Sequence, residues 1–296
     1  MRHVLCLVPF ALLLGCQSTQ REEPVGAVGQ SARALGAFLD ASASRDHAAV
    51  PQVLVLDPVV GQLLRASFTV YDHQRRVLLE NIANVDTIGY KRRIVDLGVQ
   101  SISSSDGAQF QIPLVQGTNT LFTPGCLELT GRSLDVAIDG EGFFAITLPD
   151  GSTGYTRVGV LQLNADGKVV TSKGNILLPE ITVPSDTIEI AIDPEGRVCG
   201  RTAGSPDTAT SFGQIALHRY VNPNGLRNDN GILRPTDASG APITASPGLS
   251  GLGLLKQGFL ERSNVQIVNE LVALQMLEKQ HDTLVRTMQQ FGMVSP

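Results

Sequence analysis

The chain has little of what most enzymes and nucleic-acid-binding proteins need. Among its 296 residues there is no tryptophan, aromatic residues make up 5%, and glycine occurs 30 times. Ligand pockets are lined largely by aromatic and apolar side chains, so this composition fits a turn-rich β protein better than an enzyme core. A formal net charge of -5 argues against nucleic acid as the main partner, because phosphate neutralisation needs clustered lysine and arginine. The one dense basic cluster, Lys91-Arg92-Arg93, is expected to be a solvated turn.

Motifs of known catalytic machinery are also missing: the chain has no Gly-x-Ser-x-Gly, Ser-x-x-Lys, His-Glu-x-x-His or P-loop, and its histidines are dispersed. The Gly-x-Gly of Asp139-Gly-Glu-Gly142 lies between strand-like runs and predicts a tight turn. Asn164-Ala-Asp-Gly167 lacks the glutamate of a calcium-binding loop, so it predicts a hairpin turn. Asp135, Asp139 and Glu141 are expected to be exposed turn carboxylates rather than an acid pair. We therefore predict a protein that is not an enzyme and binds no cofactor or metal ion.

The N-terminal segment has the composition of a secretion signal followed by a tether. A short basic start precedes an apolar run, residues 4–14, that is too short to span a bilayer comfortably, so residues 1–15 are predicted to be a signal peptide. Leu13-Leu-Gly-Cys16 is similar to the bacterial lipobox, in which the cysteine is acylated; lipidation of Cys16 and plain signal cleavage both remain open. Acylation would anchor the chain, and Gln17 resembles the sorting pattern for the outer membrane. Residues 16–57, rich in glutamine, serine, alanine and glycine, are predicted to be a linker.

Two runs with helical periodicity flank the rest of the chain. The first, residues 58–84, has apolar residues at steps of three, four or seven and a proline suited to a first helical turn. The second opens at Glu261, and Ser263 or Asn264 is predicted to cap it. Its apolar positions are spaced like a coiled-coil seam: Ile267, Leu271, Leu274, Leu277, His281, Leu284, Met288 and Phe291. A helix with one apolar stripe is marginal alone in water, so we predict that the two runs pair as a coiled-coil-like unit.

Residues between the two runs show the pattern of a β domain. From 131 to 200, apolar and polar residues alternate over short stretches, and turn signals recur between them. A further strand is predicted over 212–220, and residues 94–124 are predicted to be a connection. The expected fold class is α+β, with the two helices flanking a central antiparallel β-rich domain. The expected parts are 58–93 for the first helix and its motif, 94–260 for the connection and β domain, and 261–296 for the last helix.

Four motifs occur in an order that resembles flagellar rod and hook proteins. They are Asn81-Ile-Ala-Asn-Val-Asp-Thr-Ile-Gly-Tyr-Lys91, Gly131-Arg-Ser-Leu-Asp-Val-Ala-Ile-Asp-Gly-Glu-Gly-Phe-Phe144, the stretch 155–174 and Gln257-Gly-Phe-Leu-Glu-Arg-Ser-Asn-Val265. The second motif resembles the distal-rod branch of this family above all. The resemblance implies a structural subunit of the flagellar basal body, on its periplasmic side. It also implies assembly through the terminal helices, with copies of the chain and with other rod or hook subunits, into a torque-transmitting tube.

The resemblance further indicates which residues serve folding and assembly. They are Asn81, Asn84, Gly89 and Tyr90 after the first helix, Leu134, Asp135, Gly140, Gly142 and Phe143 in the central motif, and Gln257, Gly258, Ser263 and Asn264 before the last helix. The glycines are expected to permit turns or close backbone approach, and the asparagines to cap or bridge.

The N-terminal segment departs from the family pattern. Family members start almost directly with the first helix and are exported without a cleaved signal, whereas residues 1–57 precede that helix here. This departure keeps an alternative function open, a periplasmic lipoprotein of rod-type fold that is tethered to the outer membrane and acts as an accessory or adaptor at the basal-body ring. Cys126 and Cys199 can form one disulfide or remain two free thiols.

Overall fold

The computed structural model describes residues 58–103, 107, 109–229 and 231–290. Helix α1 spans Pro58–Ala83 and helix α2 spans Ile267–Gln290, so both periodic runs contain a helix. The second helix begins later than predicted, because Glu261 ends a strand. The predictions for residues 1–15, Cys16, the linker 16–57 and Phe291 lie outside the described residues. The strands described between the helices are β1 Arg93–Ser103, β2 Gln109–Thr120, β3 Leu127–Leu129, β4 Val136–Asp139, β5 Phe143–Thr147, β6 Thr153–Thr156, β7 Leu161–Leu163, β8 Val169–Thr171, β9 Ile176–Leu178, β10 Thr187–Ile192, β11 Arg197–Thr202, β12 Ser205–Gln214, β13 Leu217–Arg219, β14 Arg227–Asp229, β15 Ile232–Arg234, β16 Ile243–Ala245, β17 Leu254–Gln257 and β18 Phe259–Glu261, with one 3-10 turn at Pro223–Gly225.

The described strand pairs are antiparallel, which confirms the predicted antiparallel β-rich region and the α+β class. The largest sheet has the order β14-β15-β6-β5-β9-β8-β7, with β13 and β16 attached through β5. Smaller sheets are β10-β11-β12 and the pairs β1-β2, β17-β4 and β18-β3. One hydrophobic core joins the largest sheet to β4, β10, β11 and β17, and Phe144, Leu177 and Leu217 at its centre are fully buried.

The stretch 94–124, predicted to be a connection, is mostly a long two-stranded hairpin. Strands β1 and β2 pair along their whole length. One side of the hairpin packs on α1, where Leu97 and Val115 contact the cluster that contains Val70. Serine, threonine and glutamine occur on both sides of the hairpin, which blurs the alternation by which a strand is recognised.

A second local prediction is wrong, because residues 212–220 do not form one strand. Strand β12 ends at Gln214 and β13 begins at Leu217. Between them the side chain of Ile215 is buried in the main core, and its N–H donates to the carbonyl of Gly196 (2.7 Å). Anchoring Ile215 in this way separates the two strands, which then join different sheets.

The two helices lie against each other and run antiparallel. Leu63 and Leu64 of α1 cluster with Leu284 of α2, and further along Val70 clusters with Leu277. Because residue numbers rise along α1 while they fall along α2, the chain enters the β domain and leaves it on the same side. Helix α1 is also covered by the β1-β2 hairpin, so its apolar surface is shared between two neighbours.

The predicted seam of α2 is right in the C-terminal half of the helix and wrong in its first turns. Leu277, Leu284 and Met288 are buried, whereas Ile267 and Leu271 are 43% and 44% exposed. The fully buried residue near the start of the helix is the charged Glu270. Its carboxylate has one partner in the last turn of α1 and one after that helix, and these contacts decide which face of the first turns of α2 points inward.

Candidate functional site

The residues that link the two helices to the β domain form a buried polar junction. Helix α1 ends at Ala83 in a series of turns, and Gly89 in these turns has a φ of +69°, a conformation that favours glycine. The Gly89 N–H donates to the carbonyl of Glu261 (2.8 Å), and a Cβ at this position would lie 3.1 Å from Val158. Gly89 therefore brings the segment after α1 against the segment before α2.

Glu261, at the end of β18, is the centre of the junction. Its Oε1 accepts hydrogen bonds from Lys91 Nζ (2.7 Å) and from the Gly125 N–H (2.9 Å), and its Oε2 accepts one from Arg157 Nε (2.8 Å). The exposed fractions of the side chains are 0% for Glu261, 3% for Lys91 and 4% for Arg157. Loss of any one of these groups would leave a buried charge with too few partners, so the three segments are held in one arrangement.

Burial and the neighbouring charges shift the pKa values in this group. The pKa of Lys91 is lowered to about 8, chiefly because burial disfavours its charged form and next because Arg157 lies near, although Glu261 opposes both effects. Burial alone would raise the pKa of Glu261, but the hydrogen bonds and charges of Arg157 and Lys91 outweigh it and lower that pKa. At neutral pH the group therefore contains two cations and one anion.

A second set of contacts ties the start of α2 to the end of α1. The buried carboxylate of Glu270 accepts hydrogen bonds from Arg92 Nε and from Asn81 Nδ2, the latter at 3.1 Å. Asn81 also donates to the carbonyl of Arg93 (2.8 Å) and accepts from the N–H of Arg93 (2.9 Å) and from Tyr90 Oη (3.1 Å). Burial is the main reason that the pKa of Tyr90 is raised to about 12, so its hydroxyl remains a donor at neutral pH. The side chain of Asn81 thus uses both its oxygen and its nitrogen while fully buried.

Asn264 connects the two sets instead of capping α2, so the prediction of a cap is wrong. Its Oδ1 accepts from the N–H of Arg92 (2.6 Å), and its Nδ2 donates to the carbonyls of Leu121 (2.9 Å) and Thr123 (3.0 Å). Ser263 Oγ accepts from the N–H two residues further on, before α2 begins. The amide of Asn264 therefore holds the chain after β2 against the chain after α1.

Arg157 extends the junction to the glycine turn of the central motif. Its terminal nitrogen Nη1 donates to the carbonyls of Gly140 (2.9 Å) and Gly142 (2.7 Å). These two glycines have φ values of +126° and +129°, and a Cβ on Gly140 would lie only 2.8 Å from the Cα of Gly253. The predicted tight turn is present, and its carbonyls face a buried cation rather than a phosphate cradle.

Gln257, Gly258 and Asp135 bind the strands next to the junction. Gln257 Nε2 donates to the carbonyl of Ser133 (2.8 Å), and the Gly258 N–H donates to the carbonyl of Asp135 (2.7 Å). Asp135 is only 1% exposed, so the prediction of an exposed turn carboxylate is wrong at this position. The cause is the backbone, which forms an isolated antiparallel bridge from Asp135 to Val160 and enters β4 directly after Asp135.

The other predicted residues lie outside the junction. Phe143 is 4% exposed and belongs to a second core cluster with Tyr155, while Leu134 packs, partly buried, against the main core. Asn84 bonds within its own turn, donating to the carbonyl of Glu80 (2.8 Å). The structure therefore brings Asn81, Gly89, Tyr90, Gly140, Gly142 and Asn264 together and leaves Leu134, Phe143, Asn84 and Ser263 apart from them.

Sequence patterns do not single out five charged residues of the junction: Lys91, Arg92, Arg157, Glu261 and Glu270. The basic run 91–93 was expected to be solvated, which is wrong for Lys91, because Glu261, 170 residues away in the chain, supplies its counter-charge. The sequence contains a weak indication of burial for two of these residues. Arg157 lies two residues after Tyr155, on the same inward-facing side of the alternating pattern, and Glu261 ends an apolar strand.

The described parts of the chain contain no group of three or more histidine, cysteine, aspartate or glutamate residues placed to hold a metal ion. Cys126 and Cys199 are not joined in a disulfide, so the first of the two alternatives for these cysteines is not formed. Neither described helix is long and apolar enough to cross a membrane. What the junction does provide is ion pairing and hydrogen bonding between distant segments.

The fold and junction are those of an α+β subunit whose two helical ends meet on one side of a β domain. Residues 137–200 match the model of the flagellar hook protein FlgE/F/G D1 domain, and residues 256–291 match that of the flagellar basal body rod FlgEFG protein C-terminal region. The chain belongs to the FlgE/F/G family of flagellar hook and basal-body rod proteins, which confirms the resemblance drawn from the four motifs.

Three relatives illustrate the similarity. The chain is 38% identical to the rod protein FlgG of Buchnera aphidicola subsp. Acyrthosiphon pisum over 212 residues, covering 66% of this chain and 81% of the relative. It is 38% identical to FlgG of Caulobacter vibrioides over 216 residues, covering 67% and 82%. It is 30% identical to the rod protein FlgF of Salmonella typhimurium over 207 residues, covering 67% and 80%.

Proposed function

We propose that this chain is a structural subunit of the bacterial flagellar basal-body rod that assembles through its terminal helices. Its partners in this proposal are copies of itself and other rod or hook subunits, and the product is a tube that transmits torque on the periplasmic side of the basal body. Family membership and 30–39% identity to FlgG and FlgF rod proteins support the rod role. The proposal contains no catalytic step and no nucleic acid partner.

The observation that carries assembly is an apolar face on the first turns of α2 that is exposed in the single chain. Val268, Leu271, Val272 and Met276 are 67%, 44%, 44% and 51% exposed, and we call them the outer stripe of α2. At 3.6 residues per turn they lie on the side of the helix away from the buried seam. Contiguous exposed apolar surface of this kind marks an interaction site. A contact between different surfaces of successive copies does not close on itself, so it builds an open helical assembly.

The junction supports this role because it fixes the helix pair relative to the β domain. Glu261 and Arg157 connect the segment before α2 to the β4-β5 turn, while Lys91 connects the segment after α1 to the same carboxylate. Any other orientation of the helices would separate buried charges from their partners, which is energetically unfavourable. A subunit that transmits torque benefits from such a single, stiff arrangement.

Val272→Lys tests the proposal in the bacterium that carries this chain. Because Val272 is already half exposed in the single chain, the substitution should change the free energy of unfolding by only about 0.5 kcal/mol. In the assembly it would bury a charge, so we expect loss of swimming in soft agar and no intact rods in purified basal bodies. Gln289→Lys adds the same charge at an exposed polar position of the same helix and should retain function. Normal swimming and normal rods with Val272→Lys would contradict the proposal.

Several assignments stay predictions. They are the signal peptide 1–15, lipidation at Cys16, the linker 16–57 and the bounds of the first helix and its motif (58–93), the connection and β domain (94–260) and the last helix (261–296). The tethered-lipoprotein alternative depends on the N-terminal segment alone. The matched FlgG and FlgF relatives carry the names of rod proteins, so the rod role is the one proposed.

A further inference from the structure

A cleft on the β domain contains charged groups that the junction and the core do not use. It has a volume of about 540 Å³, and Phe122, Phe143 and Tyr220 are among its apolar walls. We call it the aromatic cleft. Val221 lies on its rim and is 81% exposed, a high value for an aliphatic side chain. An apolar depression with an exposed apolar rim is the shape that accepts an apolar side chain from another molecule.

Two opposite charges border the aromatic cleft without pairing with each other. Arg219 ends β13, and its buried Nε has no hydrogen-bond partner among the described residues. Glu141, in the β4-β5 turn, is exposed, and it forms no ion pair with any residue in the described ranges. Arg157 also lines the cleft, but Glu261 and the carbonyls of the glycine turn already occupy it. Among the described residues, the cleft therefore offers a cation and an anion that form no ion pair, beside an apolar surface.

A patch on β10 and β11 has the complementary composition. Ile188 is 66% exposed and lies at a β-bulge, where the ladder shifts register and Ile188 has no direct partner on β11. Next to it, Glu189 is opposite Arg201 on the neighbouring strand, with their charged atoms 3.4 Å apart and their side chains 62% and 55% exposed. We call Ile188, Glu189 and Arg201 the β10 patch. It presents one apolar side chain beside one acid and one base.

We infer that the aromatic cleft of one subunit receives the β10 patch of a second copy of this chain. Ile188 enters the apolar part of the cleft, Glu189 pairs with Arg219, and Arg201 pairs with Glu141. The cleft offers one cation and one anion, and the β10 patch has one anion and one cation to pair with them. This complementarity favours a second copy of the chain over a ligand of a single charge. Because the cleft and the patch use different residues, the contact is head-to-tail, and a pair of copies keeps one free cleft on one copy and one free patch on the other. This inference rests on the proposed function and adds a specific contact between β domains to the contact between helices.

The test uses a photo-crosslinking amino acid in place of Val221 in the full-length chain, in cells that assemble basal bodies. After irradiation, the crosslinked peptide is identified by mass spectrometry. We expect a peptide that contains Ile188 and Glu189 from another copy. Crosslinks to other segments of the chain, or to a different protein, would overturn the inference.

Charge reversal tests which side chains pair in the crosslinked contact. Arg219→Glu and Glu189→Arg should each lower the crosslink yield by about tenfold, because each places like charges face to face. The two substitutions combined in one chain should restore the yield to within about twofold of the original, because the charges are then opposite again. Asp207→Arg, on the exposed strand β12 of the same sheet, should have no effect. Absence of rescue in a combined variant whose circular dichroism matches that of the unmodified chain would overturn the inference.

The outcomes separate this inference from the proposed function. If crosslinks map away from the β10 patch while Val272→Lys still abolishes rods, the helix-mediated assembly stands and the cleft contact is wrong. If Val272→Lys assembles normally, the proposed function fails whatever the crosslinks show.

Discussion

Replacing Glu261 with glutamine should destabilise the fold strongly although it keeps the size of the side chain. Glutamine retains one acceptor oxygen but removes the charge that balances Lys91 and Arg157, whose side chains are 3% and 4% exposed. Breaking a buried ion pair by removing one partner costs about 3–5 kcal/mol, because the remaining charges stay buried without compensation. With an m-value of about 3 kcal/mol/M, the urea midpoint of the purified chain should fall by about 1–1.7 M.

Glu128→Gln is the matched control for this experiment. Glu128 lies on β3, paired with β18, and its ion pair with Arg262 (3.2 Å) has side chains that are 55% and 37% exposed. A pair so accessible to water contributes less than about 1 kcal/mol. If Glu261→Gln lowers the free energy of unfolding by no more than Glu128→Gln does, the reasoning about the junction is refuted. Adding Lys91→Met to Glu261→Gln should cost about 1–3 kcal/mol less than the sum of the two single changes, because it removes one uncompensated charge.

Three further predictions concern Lys91, two glycine turns and two apolar side chains. Between pH 8 and 10.5, the unfolded chain binds a proton at Lys91 that the folded chain has lost. The free energy of unfolding, measured by urea titration, should therefore rise more steeply with pH in the original chain than in Lys91→Met. Equal slopes of the free energy of unfolding against pH in the two chains would contradict this. Gly140→Ala places a Cβ at a φ of +126° and 2.8 Å from backbone, so it should lower the free energy of unfolding by more than about 2 kcal/mol. Gly131→Ala, at a φ of +72° with open space around it, should lower it by about 1 kcal/mol. Similar urea midpoints for the two variants would argue against the close approach at Gly140. Phe143→Ala should lower the free energy of unfolding by about 3–5 kcal/mol, because Phe143 is buried. Leu129→Ala should lower it by less than about 0.5 kcal/mol, because Leu129 is 69% exposed. Thermal unfolding of the two variants can compare these losses directly.

The helices and turns were predictable because their signals are local. The start of α1 at Pro58 depends on a proline that suits a first turn, and the turns around Gly140 and Gly167 depend on glycines in positive φ. The C-terminal half of the α2 seam was also correct, because Leu277, Leu284 and Met288 keep helical spacing and have no competing partner.

The junction was not predictable from the sequence, because its contacts join residues that are far apart in the chain. Lys91 and Glu261 are 170 residues apart and Arg92 and Glu270 are 178 apart, and no spacing rule relates such positions. A run of three basic residues normally indicates a solvated segment. Only the fold shows that carboxylates from the start of α2 and the end of β18 meet this run, and the same contacts turn Glu270 inward and leave Leu271 exposed.

The central claim is that the outer stripe of α2 is covered by neighbouring subunits in the rod. Thiol labelling at Val272→Cys tests it most directly, with the labelled peptide quantified by mass spectrometry so that the native thiols do not interfere. In the dilute purified chain the new thiol should react at the rate of an exposed cysteine, and in isolated basal bodies it should react at least about tenfold more slowly, since buried thiols are inert. Equal labelling rates in the two states would contradict the claim.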